Sequence, residues 1–318
     1  MGSRMNAAMQ QARLWLRYRM FYPLLALLPA SIGYRLASHA GRLAARLDEQ
    51  RLALADASLS AVMPAMSPAQ RRATLLAQQG MLAREVLDVY RLRKLTPQSL
   101  PRLIRLEGME HLRAAQASGR PVILYSAHFG RLIMPAMALG VMGVKTSCLT
   151  ADITHPRVPT PERRYLGFKL AEMQRLMGGD MIQRGDPLRR LYRVLHEHGV
   201  LIVILDAPPA KDDAVARFPF LGGTARLSVG TLRLARRTGA VLIPYFALER
   251  DGMIEGRFLE ALDLTGLDDA AALTRLFAPI EQQIRRHPDH WWLWQMSNAI
   301  RQPAPVARNG EPDAPKLA

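Results

Sequence analysis

A chain of 318 residues with 49% apolar side chains can hold one large domain or two small ones and is too apolar to be disordered throughout, and its single cysteine, Cys148, excludes a disulfide framework and any multi-cysteine metal site. The formal charge of +16 comes from 43 basic residues, only five of them lysine. Arginine suits planar capture of phosphate and carboxylate, so the balance points to an anionic partner: nucleic acid, anionic lipid headgroups or an acidic carrier protein.

Residues 1–45 are predicted to form a membrane-associating helical leader. Seven arginines occur in residues 1–47 with no acid before Asp48, and residues 20–33 form an uncharged run of 14. Crossing a bilayer takes roughly 20 apolar residues, so this run dips in rather than spans. Trp15, Tyr18, Phe21 and Tyr22 lie beside Arg13, Arg17 and Arg19, the aromatic and basic mix of a headgroup interface, which predicts a monotopic anchor on an anionic membrane. The alternative is a helix packed on its own domain. Pro23, Pro29 and Arg35 argue against a cleaved signal peptide, and Asn6 stands where myristoylation needs Ser or Thr.

Residues 46–302 read as one α/β domain. Apolar residues recur at helical spacing over 42–61 and 68–95, with Ser67-Pro68 as a start signal and Pro97 as a stop. From Ile104 strands alternate with helices: strands at 122–126, 146–150, 199–206 and 240–247, helices through 135–139 and 161–177. This alternation predicts a mostly parallel central sheet flanked by helices, with ligands at the carboxyl ends of its strands. Residues 303–318, rich in proline and of mixed charge, are expected to be a disordered tail. His196 and His198, two apart, would leave different helix faces, no HExxH pattern occurs, and no metal site is expected.

The peptide Pro121-Val-Ile-Leu-Tyr-Ser-Ala-His-Phe-Gly130 carries the most information. A buried strand delivers His128 to a glycine turn at the sheet's rim, where the imidazole either meets a hydroxyl or amine as a general base or merely caps the strand. Asp206 closes a second buried strand and would face the same rim.

The segment from Gly119 to Gly130 resembles the histidine block of the bacterial lipid A biosynthesis acyltransferase family. Further blocks agree in order: the leader with its Leu-Leu-Pro, Leu106-Glu-Gly-Met-Glu-His-Leu112, the stretch from Asp206 to Gly239 with Phe218-Pro-Phe-Leu-Gly-Gly-Thr, and His290-Trp-Trp-Leu-Trp294. The resemblance covers residues 12–300 or so. It implies an inner-membrane enzyme facing the cytoplasm that moves a fatty acyl group from an acyl carrier protein or coenzyme A thioester to a lipid or glycolipid acceptor, without a cofactor, and with the histidine as base. It also implies an H-x4-D/E motif, whose carboxylate holds the imidazole in its reactive tautomer. Here the motif position is Ile133. Two acids are candidates to replace it, Asp206 and Asp152, with Asp206 preferred.

Four more residues are expected to bind substrate: Arg131 through a phosphate of acceptor or donor, Phe129 and Gly130 through backbone N–H groups at an oxyanion, and Arg226, with Arg217, Arg233, Arg236 and Arg237, through an acidic carrier protein. The competing reading, drawn from Ile133, is a catalytically silent relative that binds lipid or acyl carrier protein as an accessory subunit. Nucleic acid is not an expected partner, because the charge begins in an apolar leader and no nucleic-acid motif is present.

Overall fold

The computed structural model describes residues 2–154, 158–197, 199–250 and 252–303. The first helices are α1 (Gly2–Leu16), a π-helical turn (Arg17–Phe21), α2 (Tyr22–Leu27), α3 (Ala30–Arg46), α4 (Glu49–Val62) and α5 (Pro68–Arg91). The stretch 42–61, expected to be one helix, is split because the Asp48 carboxylate accepts from the Arg51 N–H and starts α4 afresh. α5 starts on a capping box, the Ser67 hydroxyl taking the Gln70 N–H and the Gln70 amide oxygen taking the Ser67 N–H. Then follow β1 (Ile104–Glu107), α6 (Met109–Ala117), β2 (Val122–Ser126), α7 (Ile133–Val141), β3 (Thr146–Thr150), α8 (Thr160–Met177), β4 (Gly178–Gln183), α9 (Arg189–His196), β5 (Val200–Ile204), β6 (Val215–Phe220), β7 (Gly223–Ser228), α10 (Gly230–Thr238), β8 (Val241–Arg250), β9 (Met253–Phe258), α11 (Asp269–Arg286) and β10 (Arg301–Pro303).

Seven strands form one sheet in the order β1-β9-β8-β2-β5-β3-β4, parallel at every junction except β8 with β9. A second, antiparallel sheet runs β10-β7-β6. Every residue of β2 is buried, and alternate side chains enter different cores: Ile123 and Tyr125 meet α9, α10 and α11, whereas Val122 and Leu124 meet α6, α7 and α8. This is why β2 and β5 read as unbroken apolar runs rather than as alternating ones.

The leader packs on its own domain along one face. Tyr22, Leu25, Ala26 and Ala37 cluster with Ala83 and Leu87 of α5. Leu24, Leu27, Ile32, Leu36 and Leu43 remain exposed. No described helix is long and apolar enough to cross a membrane. Pro303 is paired with Gly223, and the remainder of the expected tail, 304–318, lies outside the described residues, as does His198 of the histidine pair.

Candidate active site

β2 and β5 lie side by side, Ser126 opposite Ile204, and the Leu205 N–H donates to the Ser126 carbonyl at 2.9 Å. The residues just beyond both strands, His128 and Asp206, therefore emerge together at the carboxyl rim. The Asp206 carboxylate accepts the His128 backbone N–H, 3.0 Å from each oxygen, and its Oδ1 stands 2.7 Å from the imidazole Nδ1. Its Oδ2 takes the indole N–H of Trp291 at 2.9 Å. Asp206 is wholly buried, an expensive place for a carboxylate unless its lone pairs are engaged, and three donor groups engage them.

A carboxylate can only accept, so in the neutral ring Nδ1 carries the proton and Nε2 keeps its lone pair. Nε2 has no protein partner among the described residues, and the side chain is 30% exposed. The ring is open to a ligand while its far side is fixed. A group of this kind can take a proton at Nε2 and be stabilised as imidazolium by Asp206.

The loop that carries His128 is zipped to the C-terminal tryptophan block. The Gly130 N–H donates to the His290 carbonyl at 2.8 Å, and the Trp292 N–H to the His128 carbonyl at 2.9 Å. The Trp292 indole donates to the Gly130 carbonyl at 2.9 Å, and its ring centroid lies 5.6 Å from that of His128. Gly130 has φ +61°, and a Cβ there would sit 1.7 Å from the Ala247 carbonyl oxygen, so only glycine fits.

The other expected residues separate. Asp152 is exposed and takes the N–H and hydroxyl of Thr154, 2.8 and 2.6 Å away, within its own loop, so Asp206 is the acid at the imidazole. Arg131 does not offer its guanidinium to a phosphate: it is 1% exposed and locked to Asp88. Gly130 is no oxyanion donor, since its N–H is spent on His290. Phe129 is fully buried, but its backbone N–H has no acceptor among the described residues. Arg226 lies on the three-stranded sheet opposite Arg217, both exposed. Ile133 is core, at the start of α7.

Burial pushes the Cys148 thiol up to about 12, so at neutral pH it is no thiolate nucleophile. Among the described residues no group of three or more His, Cys, Asp or Glu side chains is placed to hold a metal ion. Sequence reasoning missed the indole of Trp291 as a donor to Asp206, and Gln78, whose amide donates to the Trp291 carbonyl at 2.5 Å. The His290-to-Trp294 block was the available signal, but a tryptophan cluster by itself reads as core.

Comparison with known proteins gives a consistent picture. The family model for bacterial lipid A biosynthesis acyltransferases matches residues 4–296. A phosphatidylinositol mannoside acyltransferase of Mycobacterium tuberculosis is 30% identical over 257 residues, 76% of each chain. The lipid A biosynthesis lauroyltransferase of Escherichia coli K12 is 25% identical over 233 residues, 73% of this chain and 70% of the relative.

Proposed function

Because this chain belongs to the bacterial lipid A biosynthesis acyltransferase family, a family of lipid acyltransferases, we propose that it transfers a fatty acyl group from an acyl carrier protein or coenzyme A thioester to a hydroxyl or amine of a glycolipid or other lipid acceptor, with His128 as general base. The observation that carries this reading is the half-open imidazole whose Nδ1 stands 2.7 Å from buried Asp206.

In this mechanism the acceptor O–H or N–H rests on Nε2, which takes the proton as the acceptor attacks the thioester carbonyl. The attack leaves an oxyanion on the thioester carbonyl carbon, and the Phe129 N–H, although without an acceptor among the described residues, is too deeply buried to meet it in this conformation. Collapse breaks the C–S bond, and the leaving thiolate takes the proton back from the imidazolium. The products are an ester or amide and a free thiol, and no acyl-enzyme is formed. Asp206 holds the tautomer before the step and balances the imidazolium during it.

The relatives' names, a phosphatidylinositol mannoside acyltransferase and a lipid A lauroyltransferase, support a glycolipid acceptor. The arginines of the leader and the exposed Leu24, Leu27, Ile32 and Leu36 support peripheral attachment to the cytoplasmic face of an anionic inner membrane. The adjacent Arg217 and Arg226, without an ion-pair partner among the described residues, suit an acidic carrier protein.

The test is acyl transfer by purified protein from radiolabelled acyl carrier protein and coenzyme A thioesters to a panel of glycolipids and lysophospholipids. Transfer that disappears in His128→Ala supports the proposal. Transfer that survives the substitution overturns the mechanism, and lipid binding with no transfer to any acceptor favours the accessory reading drawn from Ile133.

A further inference from the structure

A cavity of about 500 Å³ opens where the π-helical turn meets α8, and neither His128 nor Asp206 is among its walls. Its aromatic wall is a stack of tyrosines: the rings of Tyr18 and Tyr165 lie 4.4 Å apart, those of Tyr90 and Tyr165 5.9 Å, and the Tyr90 hydroxyl donates to the Tyr18 carbonyl at 2.6 Å. The turn is wound one residue wide, the Tyr22 N–H reaching back to the Arg17 carbonyl, and two of its residues, Tyr18 and Arg19, line the cavity.

Two features of this wall are unexplained by packing. Tyr165 is 7% exposed, and its hydroxyl, itself buried, has no hydrogen-bond partner among the described residues. Such a group ordinarily finds one. Arg19 and Arg164 line the same cavity, are exposed, and make no ion pair among the described residues, whereas Arg84, Arg93 and Arg131 are each matched to a carboxylate. Beside the cavity on the same helical stretch, Trp15, Leu16 and Met20 present apolar surface to the outside, 47, 54 and 44% exposed.

We propose that this cavity binds an anionic phospholipid by its phosphodiester and glycerol region. The two guanidiniums take the phosphate oxygens through charge-assisted hydrogen bonds. The tyrosine stack packs against the glycerol, and the acyl chains leave over Trp15, Leu16 and Met20 into the apolar layer. A free phosphate would use the arginines but none of the aromatic wall. The site is distinct from the acyl-transfer centre and stands or falls without it, although α8 joins the two: the Lys169 ammonium lies 5.8 Å from the ring of Trp292, which packs on His128.

The test is calorimetric titration of the full chain with monomeric dihexanoylphosphatidylglycerol, dihexanoylphosphatidylcholine and inorganic phosphate, a readout that needs neither a membrane nor turnover. The anionic lipid should bind saturably and about tenfold or more tighter than the zwitterionic one. The combined Arg19→Gln and Arg164→Gln variant should lose that preference, and Arg46→Gln, an exposed arginine of α3 away from the cavity, should keep it. Gly167→Leu, at a helical wall position where an added Cβ meets only Ile153 Cδ1 at 4.0 Å, should fill the cavity and abolish binding while the thermal midpoint holds or rises. Equal affinity for both lipids, binding unchanged by Gly167→Leu, equal weakening by Arg46→Gln, or phosphate binding as tight as the lipid would each overturn the assignment. Binding that persists in an inactive His128→Ala protein supports it and separates its fate from that of the proposed reaction.

Discussion

Asp88 of α5 holds Arg131, three residues beyond the imidazole, in a buried ion pair that ties the histidine loop to the N-terminal helices. The Arg131 Nε donates to Asp88 Oδ2 at 2.7 Å, the Tyr34 hydroxyl of α3 donates to Oδ1 at 2.7 Å, and the guanidinium lies 4.5 Å from the centre of the Tyr34 ring. Glu249 of β8, 3.6 Å from Arg131 Nη1, is in turn gripped by Arg84 at 2.7 Å. Its own N–H donates to His290 Nε2 at 3.0 Å, and the His290 carbonyl closes the circuit on Gly130. The network spans α3, α5, β8 and the C-terminal block, so the position of His128 is set from several directions at once.

Replacing Arg131 with Met leaves Asp88 buried without its countercharge, and stability should fall by about 3–5 kcal/mol. Denaturant unfolding measures the loss, and adding Asp88→Asn should restore part of it. Unchanged stability with a raised KM for a phosphorylated acceptor would instead return Arg131 to substrate binding.

Gly130→Ala should cost on the order of 3 kcal/mol or more, because backbone at φ +61° meets a carbonyl 1.7 Å from the new Cβ. Gly143 provides the contrast. It has φ +85° with open space around the Cβ position, so Gly143→Ala should cost only about 1 kcal/mol. Comparable thermal shifts for the two variants would count against the close approach of Ala247.

Trp291→Phe keeps most of the ring and removes the N–H that Asp206 accepts. A hydrogen bond to a charged group is worth about 1.5–3 kcal/mol, so kcat should fall roughly 10- to 100-fold. The indole positions Asp206 rather than touching substrate, so KM should stay near wild type, and the loss should largely vanish when the change is made on top of Asp206→Asn.

Much of the fold was legible where burial alone decides it. The strand over 122–126 comes out at the expected bounds because a continuous apolar run leaves it little choice, and that over 146–150 does so on β-branched Thr146 and Thr150 around Cys148 and Leu149. Asp206 and His128 were readable as a pair because both follow such strands. β1, β4, β6, β7, β9 and β10 went unseen because all are short stretches of mixed polarity; β6 with β7 and β8 with β9 are tight hairpins, Phe220 opposite Gly223 and Arg250 opposite Met253, whereas β10 becomes a strand only through a partner far away in sequence, Arg301 opposite Ala225. Arg131 was misread for the same reason, since nothing local to it announces Asp88, 43 positions earlier. The indole of Trp291 finds its acceptor 85 positions away, beyond the reach of spacing arguments.

Restoring the family's acid by Ile133→Glu should not raise turnover, because Nδ1 is already taken by Asp206 and residue 133 sits in the core, 4% exposed. An unpaired carboxylate there should cost at least about 3 kcal/mol. Faster turnover in a stable variant would mean that Asp206 does an incomplete job.

The most direct measurement is kcat for Asp206→Asn, His128→Ala and the two combined, in an acyl-transfer assay on folded protein. Losing the carboxylate or the imidazole should each lower kcat by about 10⁴, and the double variant should fall little further, as for residues acting as one unit. Asp206→Asn turnover within tenfold of wild type, or losses that multiply in the double variant, would contradict a base built from His128 and Asp206.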